Sequence, residues 1–493
     1  MLESAEVGHR IAKATYAREE GKLRESLLLG QFEMSRAQRG PILVLISGIE
    51  GGGRGETANK LNEWMDPRFI RTHAFGPGAP EEKVRPLAWR YWRALPPRGR
   101  IGIFMNAWYR QLIDAHAREV VTGPQFNAYL QELRQHEQML TDEGIVLLKF
   151  WIHLSRDDQK RRLRELASSP KTRWRVTAID KSALKQYNKF HDVWEEMLRE
   201  TSTGAAPWYV VEGTDPNYRN LTVGKIVEQA LVRVSAGAKR APRAEELPAP
   251  SVIGNVALIR NLDLTQKLSE KSYERDLAKW QAKLAALTLH KRFRDRSLVL
   301  AFEGSDAAGK GGAIRRVAAS FDVRQYVIVP VAAPTEEEMA QPYLWRFWRQ
   351  IPARGGITIF DRTWYGRVLV ERVEGYCRVS DWMRAYDEIN QFEEQLVRAG
   401  TVVCKFWLQI SKAEQLRRFK AREKTAFKRF KITPDDWRNR KKWGAYEQAV
   451  ADMVDRTSTE QAPWTLVEAE NKYFARVKIL KTIARQLEAA LAR

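Results

Sequence analysis

Cysteine is almost missing from this chain: Cys377 and Cys404 are the only two in 493 residues. So few thiols build no disulfide framework, and their spacing matches no metal-ligand pattern, so both read as ordinary thiols. Long apolar runs are missing too, and with them any stretch of about 18 residues that could span a bilayer. The opening Met1-Leu2-Glu3-Ser4-Ala5-Glu6 lacks the basic start and apolar stretch of a secretory signal. These absences lead to the expectation of a cytoplasmic protein. Acidic residues are in deficit: 61 Asp and Glu stand against 83 Lys and Arg, a formal charge of +22. Such an excess suits a polyanionic partner. Composition alone leaves nucleic acid, an anionic membrane surface and polyphosphate open, beside the plain use of charge for solubility.

What is present is a globular balance, 44% apolar and 29% charged, over a length that calls for two or three compact units. The organising feature is a repeat. Trp89-Arg90-Tyr91-Trp92-Arg93 matches Trp345-Arg346-Phe347-Trp348-Arg349, and Pro96-Pro97-Arg98-Gly99 matches Pro352-Ala353-Arg354-Gly355. Lys149-Phe150-Trp151 matches Lys405-Phe406-Trp407, and Ala206-Pro207-Trp208 matches Ala462-Pro463-Trp464, each pair 256 positions apart. A constant offset means two copies of one fold. The expected division is a first repeat over 1–234, a Pro-, Ala- and charge-rich linker over 235–252, and a second repeat over 253–493.

Within the second repeat, apolar β-rich runs begin at Leu298, Tyr326, Ile357, Val402 and Thr465. Runs this apolar predict strands buried on both faces, as in a parallel sheet. Amphipathic stretches such as Trp382 to Val397 alternate with them, and Ser272 to Leu289 precedes the first. The expected fold class is α/β: two tandem three-layer domains, each with a central parallel sheet.

The first strand of the second repeat runs into Gly304-Ser305-Asp306-Ala307-Ala308-Gly309-Lys310-Gly311-Gly312, then into a helix expected from near Ala313. Gly304 to Lys310 fits the G-x-x-x-x-G-K part of a phosphate-binding loop. Backbone N–H groups of Ala307, Ala308, Gly309, Gly311 and Gly312 can turn toward phosphate oxygens, the helix start adds its dipole, and Lys310 adds a mobile charge. The usual hydroxyl after the lysine is replaced by Gly311. Asp306 is then the obvious oxygen ligand for a hard cation, with Asp361, which comes after the strand Ile357 to Phe360, as the second. Asp361 also suits a helix N-cap.

Arg362, Arg367 and Arg372, with Glu371 among them, offer planar guanidinium forks for phosphate. A strongly basic stretch lies between the fourth and fifth strands and includes Arg417, Arg418, Arg422, Lys428, Arg429 and Lys431. A solvated helix face is one reading of it; a lid that grips a polyanion is the other.

Taken together, Gly304 to Gly312, Ala333-Pro334-Thr335, Trp345-Arg346-Phe347-Trp348, Phe360-Asp361-Arg362-Thr363-Trp364-Tyr365-Gly366-Arg367 and Ala462-Pro463-Trp464 resemble polyphosphate kinase family 2. The resemblance covers nearly all of the second repeat and, at lower fidelity, the first. It implies a P-loop kinase fold related in shape to thymidylate kinases. It also implies Mg²⁺, or Mn²⁺ in its place, and phosphoryl transfer between inorganic polyphosphate and an adenine nucleotide, AMP or ADP. Tandem members imply AMP to ADP; single-domain members, ADP to ATP. Lys310 would then hold phosphates, Asp306 and Asp361 would serve metal and acceptor, Arg362 would join them in catalysis, and the lid arginines would grip the polymer.

The offset tests the first repeat position by position. Lys310 becomes Arg54, Asp306 becomes Glu50, Asp361 becomes Met105, Arg362 becomes Asn106, Gly366 becomes Arg110 and Arg367 becomes Gln111. Met105 neither ligates a cation nor accepts a proton, so the first repeat is expected to be an inactive scaffold. It would take a subunit's place in an internal pseudo-dimer, with self-association of the whole chain left open. Three rival activities share parts of this reading: transfer to ADP or GDP, an ATP-dependent nucleoside monophosphate kinase, and a basic nucleic-acid-binding protein. No RNP-type or zinc-finger pattern supports the last, so neither a nucleic-acid nor a membrane partner is expected.

Overall fold

The computed structural model describes residues 1–236, 256–425 and 432–492. The expected lid residues Lys428, Arg429 and Lys431, and linker positions 237–252, lie outside the described residues. Each half of the chain builds a five-stranded parallel sheet. In the first, β1 (Ile42–Gly48), β2 (Ile70–Ala74), β3 (Ile101–Met105), β4 (Val146–His153) and β5 (Trp208–Glu212) stand in the order β2-β3-β1-β4-β5. In the second, β6 (Ser297–Gly304), β7 (Tyr326–Pro330), β8 (Ile357–Asp361), β9 (Thr401–Gln409) and β10 (Trp464–Glu468) repeat that order as β7-β8-β6-β9-β10.

The apolar run Leu298–Phe302 makes β6 the central strand, wholly buried. On one face it packs with helices Lys310–Ala318 and Lys472–Ala492 through Ile314, Val317, Ile479 and Ile483. On the other, Trp364 and Trp348 meet Phe392 of helix Val379–Arg398 edge-on, each at 4.9 Å. The three-layer α/β class is as expected. One strand departs from it: Val327 and Ile328 of β7 are 57% and 39% exposed, because β7 is the edge strand with a single neighbour.

The chain divides into two compact units, and they cut across the expected boundary. One comprises Met1–Gly78, Arg90–Ala241 and Thr335–Tyr343; the other comprises Ala79–Trp89, Pro242–Pro334 and Leu344–Arg493. Within the second unit the Arg354 N–H donates to the Val84 carbonyl at 2.8 Å, and within the first the Arg98 N–H donates to the Ala340 carbonyl at 2.9 Å. The last helix of the first repeat, Pro216–Ser235, also runs just past 234. Among the described residues no helix is long and apolar enough to cross a membrane.

Sheet register brings the loop and the acid together. Phe302 pairs with Asp361 on one side and Phe406 on the other, so β8 ends opposite Phe302, two residues before β6 ends at Gly304, and the Gly304–Lys310 loop leaves close to Asp361. The C-terminal ends of such strands are where open α/β sheets bind ligands.

Candidate active site

Two glycines shape the loop. A Cβ on Gly304 would lie 2.7 Å from the Leu408 carbonyl oxygen of β9, so only glycine lets the chain leave the sheet there. Gly309, at φ +109°, reverses the backbone so that helical bonding begins at Lys310, three residues before the expected Ala313. Between them the Ala308 N–H closes a turn onto the Ser305 carbonyl at 3.0 Å. Lys310 is the first helical residue, and its ammonium donates to the Gly304 carbonyl at 2.6 Å, across the loop's mouth. Gly311 and Gly312 come next in the first turn; no atom comes within 4 Å of a Cβ on Gly311, so that side of the helix start is open.

Arg418 supports this loop from beneath, which corrects its expected place in a polymer-gripping lid. It is 4% exposed. Its guanidinium donates to the carbonyls of Ala307 and Ala308 at 3.0 Å, Ala469 at 2.8 Å and Glu470 at 2.9 Å, while its Nε donates to Glu414. Arg418→Ala leaves the buried loop and Ala469 carbonyls without their donor, while Glu414 keeps Arg417, and the loss costs about 3 kcal/mol or more. We expect the thermal midpoint to fall by roughly 5–10 °C in calorimetry; a lid residue would instead raise KM for the polymer at an unchanged midpoint.

Asp306 lies inside the loop. Its Oδ2 accepts from Asn439 Nδ2 at 2.9 Å, its Oδ1 stands 3.5 Å from Arg362 Nη2, and its backbone carbonyl accepts from Gln415 at 3.2 Å. Arg362 occupies left-handed backbone space at φ +64°, its N–H held by the Phe302 carbonyl at 3.1 Å. Beside them, Glu303 buries its carboxylate against Thr363. A cavity of about 120 Å³ opens here, walled by Glu303, Asp306, Arg362, Trp407, Asn439 and Tyr446 among others. Lys310 and Asp361 stand beside it but are not on its wall. Among the described residues no group of three or more His, Cys, Asp or Glu could hold a metal. Two carboxylates beside a phosphate loop nevertheless suit Mg²⁺, which usually keeps waters and substrate phosphates as its other ligands.

The remaining arginines are already partnered. Arg367 pairs with Glu371 at 2.8 Å; Arg372 pairs with the buried Asp452 at 2.7 Å, donates to Tyr386 and lies 4.3 Å from the Trp382 ring. Arg417 points to solvent in an ion pair with Glu414, and Arg422 lies farther along the same helix, Lys412–Glu423. Sequence reasoning missed Asn439, on helix Pro434–Lys441, and Tyr446, whose hydroxyl holds Asn439 Oδ1 at 3.2 Å. The one available signal was their loss in the first repeat, where Ala183 and Phe190 stand.

A buried group anchors the turn after Asp361. Glu393 Oε1 accepts from Trp364 Nε1 at 3.0 Å and the Tyr365 hydroxyl at 2.7 Å; Lys405 donates to Glu393 Oε2 at 2.7 Å and to the Thr457 carbonyl at 2.6 Å. The first repeat duplicates it with Trp108, Tyr109, Glu137, Lys149 and the Thr201 carbonyl. There the frame survives while the cradle closes on itself. Glu50 bonds both Arg54 and Arg110, and Arg54 also donates to Asn106 at 2.6 Å. Burial alone would raise the Glu50 carboxyl, but Arg54 and Arg110 outweigh it and hold it below the ordinary range. Arg219, buried where the second repeat has Ala475, donates to the loop carbonyl of Gly52 at 3.1 Å and to Gly213 at 3.2 Å.

Comparison with known proteins bears on both repeats. The family description polyphosphate kinase 2 matches residues 10–238 and 267–493. A polyphosphate:AMP phosphotransferase of Pseudomonas aeruginosa is 55% identical over 493 residues, covering 99% of each chain. One from Pseudomonas syringae is 53% identical over 496 residues, covering 100% of this chain and 99% of its own. An ADP-polyphosphate phosphotransferase of Pseudomonas aeruginosa is 36% identical over 46% of this chain and 74% of its own. A crystal structure from Pseudomonas aeruginosa, assigned as a candidate polyphosphate kinase 2, superposes with a TM-score of 0.91 at 53% identity over 100% of both chains.

Proposed function

Because the chain belongs to the polyphosphate kinase 2 family, we propose that it transfers the terminal phosphoryl group of inorganic polyphosphate to AMP, yielding ADP and a polymer one phosphate shorter. The observation that carries AMP over ADP is coverage. Relatives named for AMP match both repeats along 99% of this chain, while the relative named for ADP matches 46% of it. We assign catalysis to 253–493 and a scaffold role to 1–234, where Glu50 already fills the cradle. We place the protein in the cytoplasm.

Phosphoryl transfer asks the protein mainly to position groups and to neutralise charge. Lys310 leaves the Gly304 carbonyl for a phosphate oxygen, the helix start beyond it presents backbone N–H groups, and Arg362 faces the same cavity as Asp306. Asp306 and Asp361 are the residues that would hold Mg²⁺, which when bound neutralises phosphate charge. Trp407 and Tyr446 help to wall the cavity.

The test offers the whole chain polyphosphate with AMP, ADP, GMP or GDP, with nucleotide chromatography as the readout. ADP formed from AMP is the expected result. A preference for ADP or GDP moves the chain to the nucleoside diphosphate reaction, and ATP serving in place of polyphosphate makes it a nucleoside monophosphate kinase.

A further inference from the structure

Glu303 is the last residue of β6 before Gly304, 6% exposed, and its side chain reaches the cavity that Asp306 and Arg362 also line. Oε1 accepts two hydrogen bonds from one residue, the Thr363 N–H at 2.8 Å and the Thr363 hydroxyl at 2.9 Å. The hydroxyl in turn accepts from the Tyr365 N–H at 3.1 Å. A carboxylate taken so far from water is expensive to keep charged unless cations stand near it. Here burial raises its pKa, while Lys310 and Arg362, the two cations of the loop and turn, oppose that rise.

The first repeat serves as an internal control for what this carboxylate does. Its counterparts to Glu303 and Thr363 are Ser47 and Ala107, so both ends of the contact are gone. Yet the turn forms there: Asn106 adopts φ +52° where Arg362 adopts +64°, and Trp108 and Tyr109 bond Glu137 as Trp364 and Tyr365 bond Glu393. The fold therefore does without the Glu303–Thr363 contact. The Glu393–Lys405 group occurs in both repeats and belongs to the architecture; the Glu303–Thr363 pair occurs only beside Asp306, Lys310, Asp361 and Arg362.

We propose that Glu303 is a positioning residue of the transfer reaction. Clamped by Thr363 on one oxygen, it supplies the fixed negative charge against which Lys310 and Arg362 are aligned on the phosphoryl group. This rests on the reading of the second repeat as a polyphosphate-dependent phosphotransferase. Without that charge the balance of charge beside Lys310 and Arg362 is upset, and the two side chains are no longer held toward one phosphate. The loss then falls on the transfer step, where preorganised charge counts most, rather than on substrate binding.

Two variants of the full chain test it. Glu303→Gln keeps an oxygen for Thr363 to donate to but removes the charge; the double variant Glu303→Ser/Thr363→Ala installs the pair that the first repeat already folds with. Steady-state kinetics with polyphosphate and AMP are read beside thermal midpoints. We expect Glu303→Gln to lower kcat by roughly 30- to 100-fold, with KM for AMP and for polyphosphate within about threefold of wild type. Its midpoint should stay within about 2 °C of wild type, and the double variant should show the same pattern. Glu303→Gln with wild-type kcat would overturn the proposal, because an acceptor for Thr363 would then suffice. So would a loss seen in KM alone, or one that tracks a fall in midpoint. Wild type assayed alongside separates the two readings: no transfer from polyphosphate by wild type refutes the function, whereas an active wild type with an equally active Glu303→Gln refutes only this role.

Discussion

Lys310→Ala is expected to lower kcat by roughly 10²- to 10³-fold or more, while Arg54→Ala leaves it within about twofold of wild type. The two residues hold the same position in the two repeats, and their surroundings explain the asymmetry. The Lys310 ammonium donates to a backbone carbonyl of its own loop, and it can exchange that carbonyl for a more negative phosphate oxygen at little expense. Arg54 is tied to Glu50 and Asn106, with Arg110 closing the same carboxylate. Lys310 is partly exposed and its alanine variant gives up a bond to its own loop rather than a core contact, so circular dichroism should show an intact fold. Equal losses from the two substitutions in a polyphosphate and AMP assay would put chemistry in both repeats and refute the division of labour.

The largest loss of stability is expected from Lys405→Met. Lys405 and Glu393 are fully buried, so removing the lysine strands a carboxylate in the core at a penalty of about 3–5 kcal/mol. Calorimetry should record a midpoint lower by roughly 10 °C. Burial pulls the Lys405 ammonium below its ordinary pKa while Glu393 opposes this, and the amine also stands 5.3 Å from the Trp464 ring. Adding Glu393→Leu should restore only part of the loss. The charge is then gone, but Trp364 Nε1 and the Tyr365 hydroxyl are left without their acceptor. Lys149→Met should destabilise the first unit to a similar extent, since Glu137 is buried in the same way. A midpoint unmoved by Lys405→Met would show that the pair contributes nothing measurable.

The fold could be read from the sequence because its signals are local. A strand such as Leu298–Phe302 announces itself by composition, and the fixed 256-residue offset turns one domain's reading into two. The phosphate loop was equally plain, since its glycines are adjacent and its strand and helix flank it. What escaped depended on distance along the chain. Asn439 reaches Asp306 across 133 residues, and nothing about an asparagine on a polar helix marks it as a loop contact. Arg418 looks like its neighbour Arg417, yet one is buried under the loop and the other is in solvent; helical phase separates them, and only the packed structure fixes that phase. The exchanged segments Ala79–Trp89 and Thr335–Tyr343 were hidden for the same reason, because short stretches carry no mark of the unit they pack with. Glu303 was overlooked as the end of an apolar strand, although Ser47 at the equivalent position of the first repeat was a clue.

The closed cradle of the first repeat also bears on how much substrate is free to react. An open second cradle on the same chain would capture polyphosphate without transferring it, and at scarce polymer that idle fraction would be withdrawn from turnover. Glu50 is a tethered rival for Arg54 and Arg110, present at an effective concentration of about millimolar or above, whatever the solution contains. On the division of labour proposed above, the duplicate would keep its architecture without acting as a decoy.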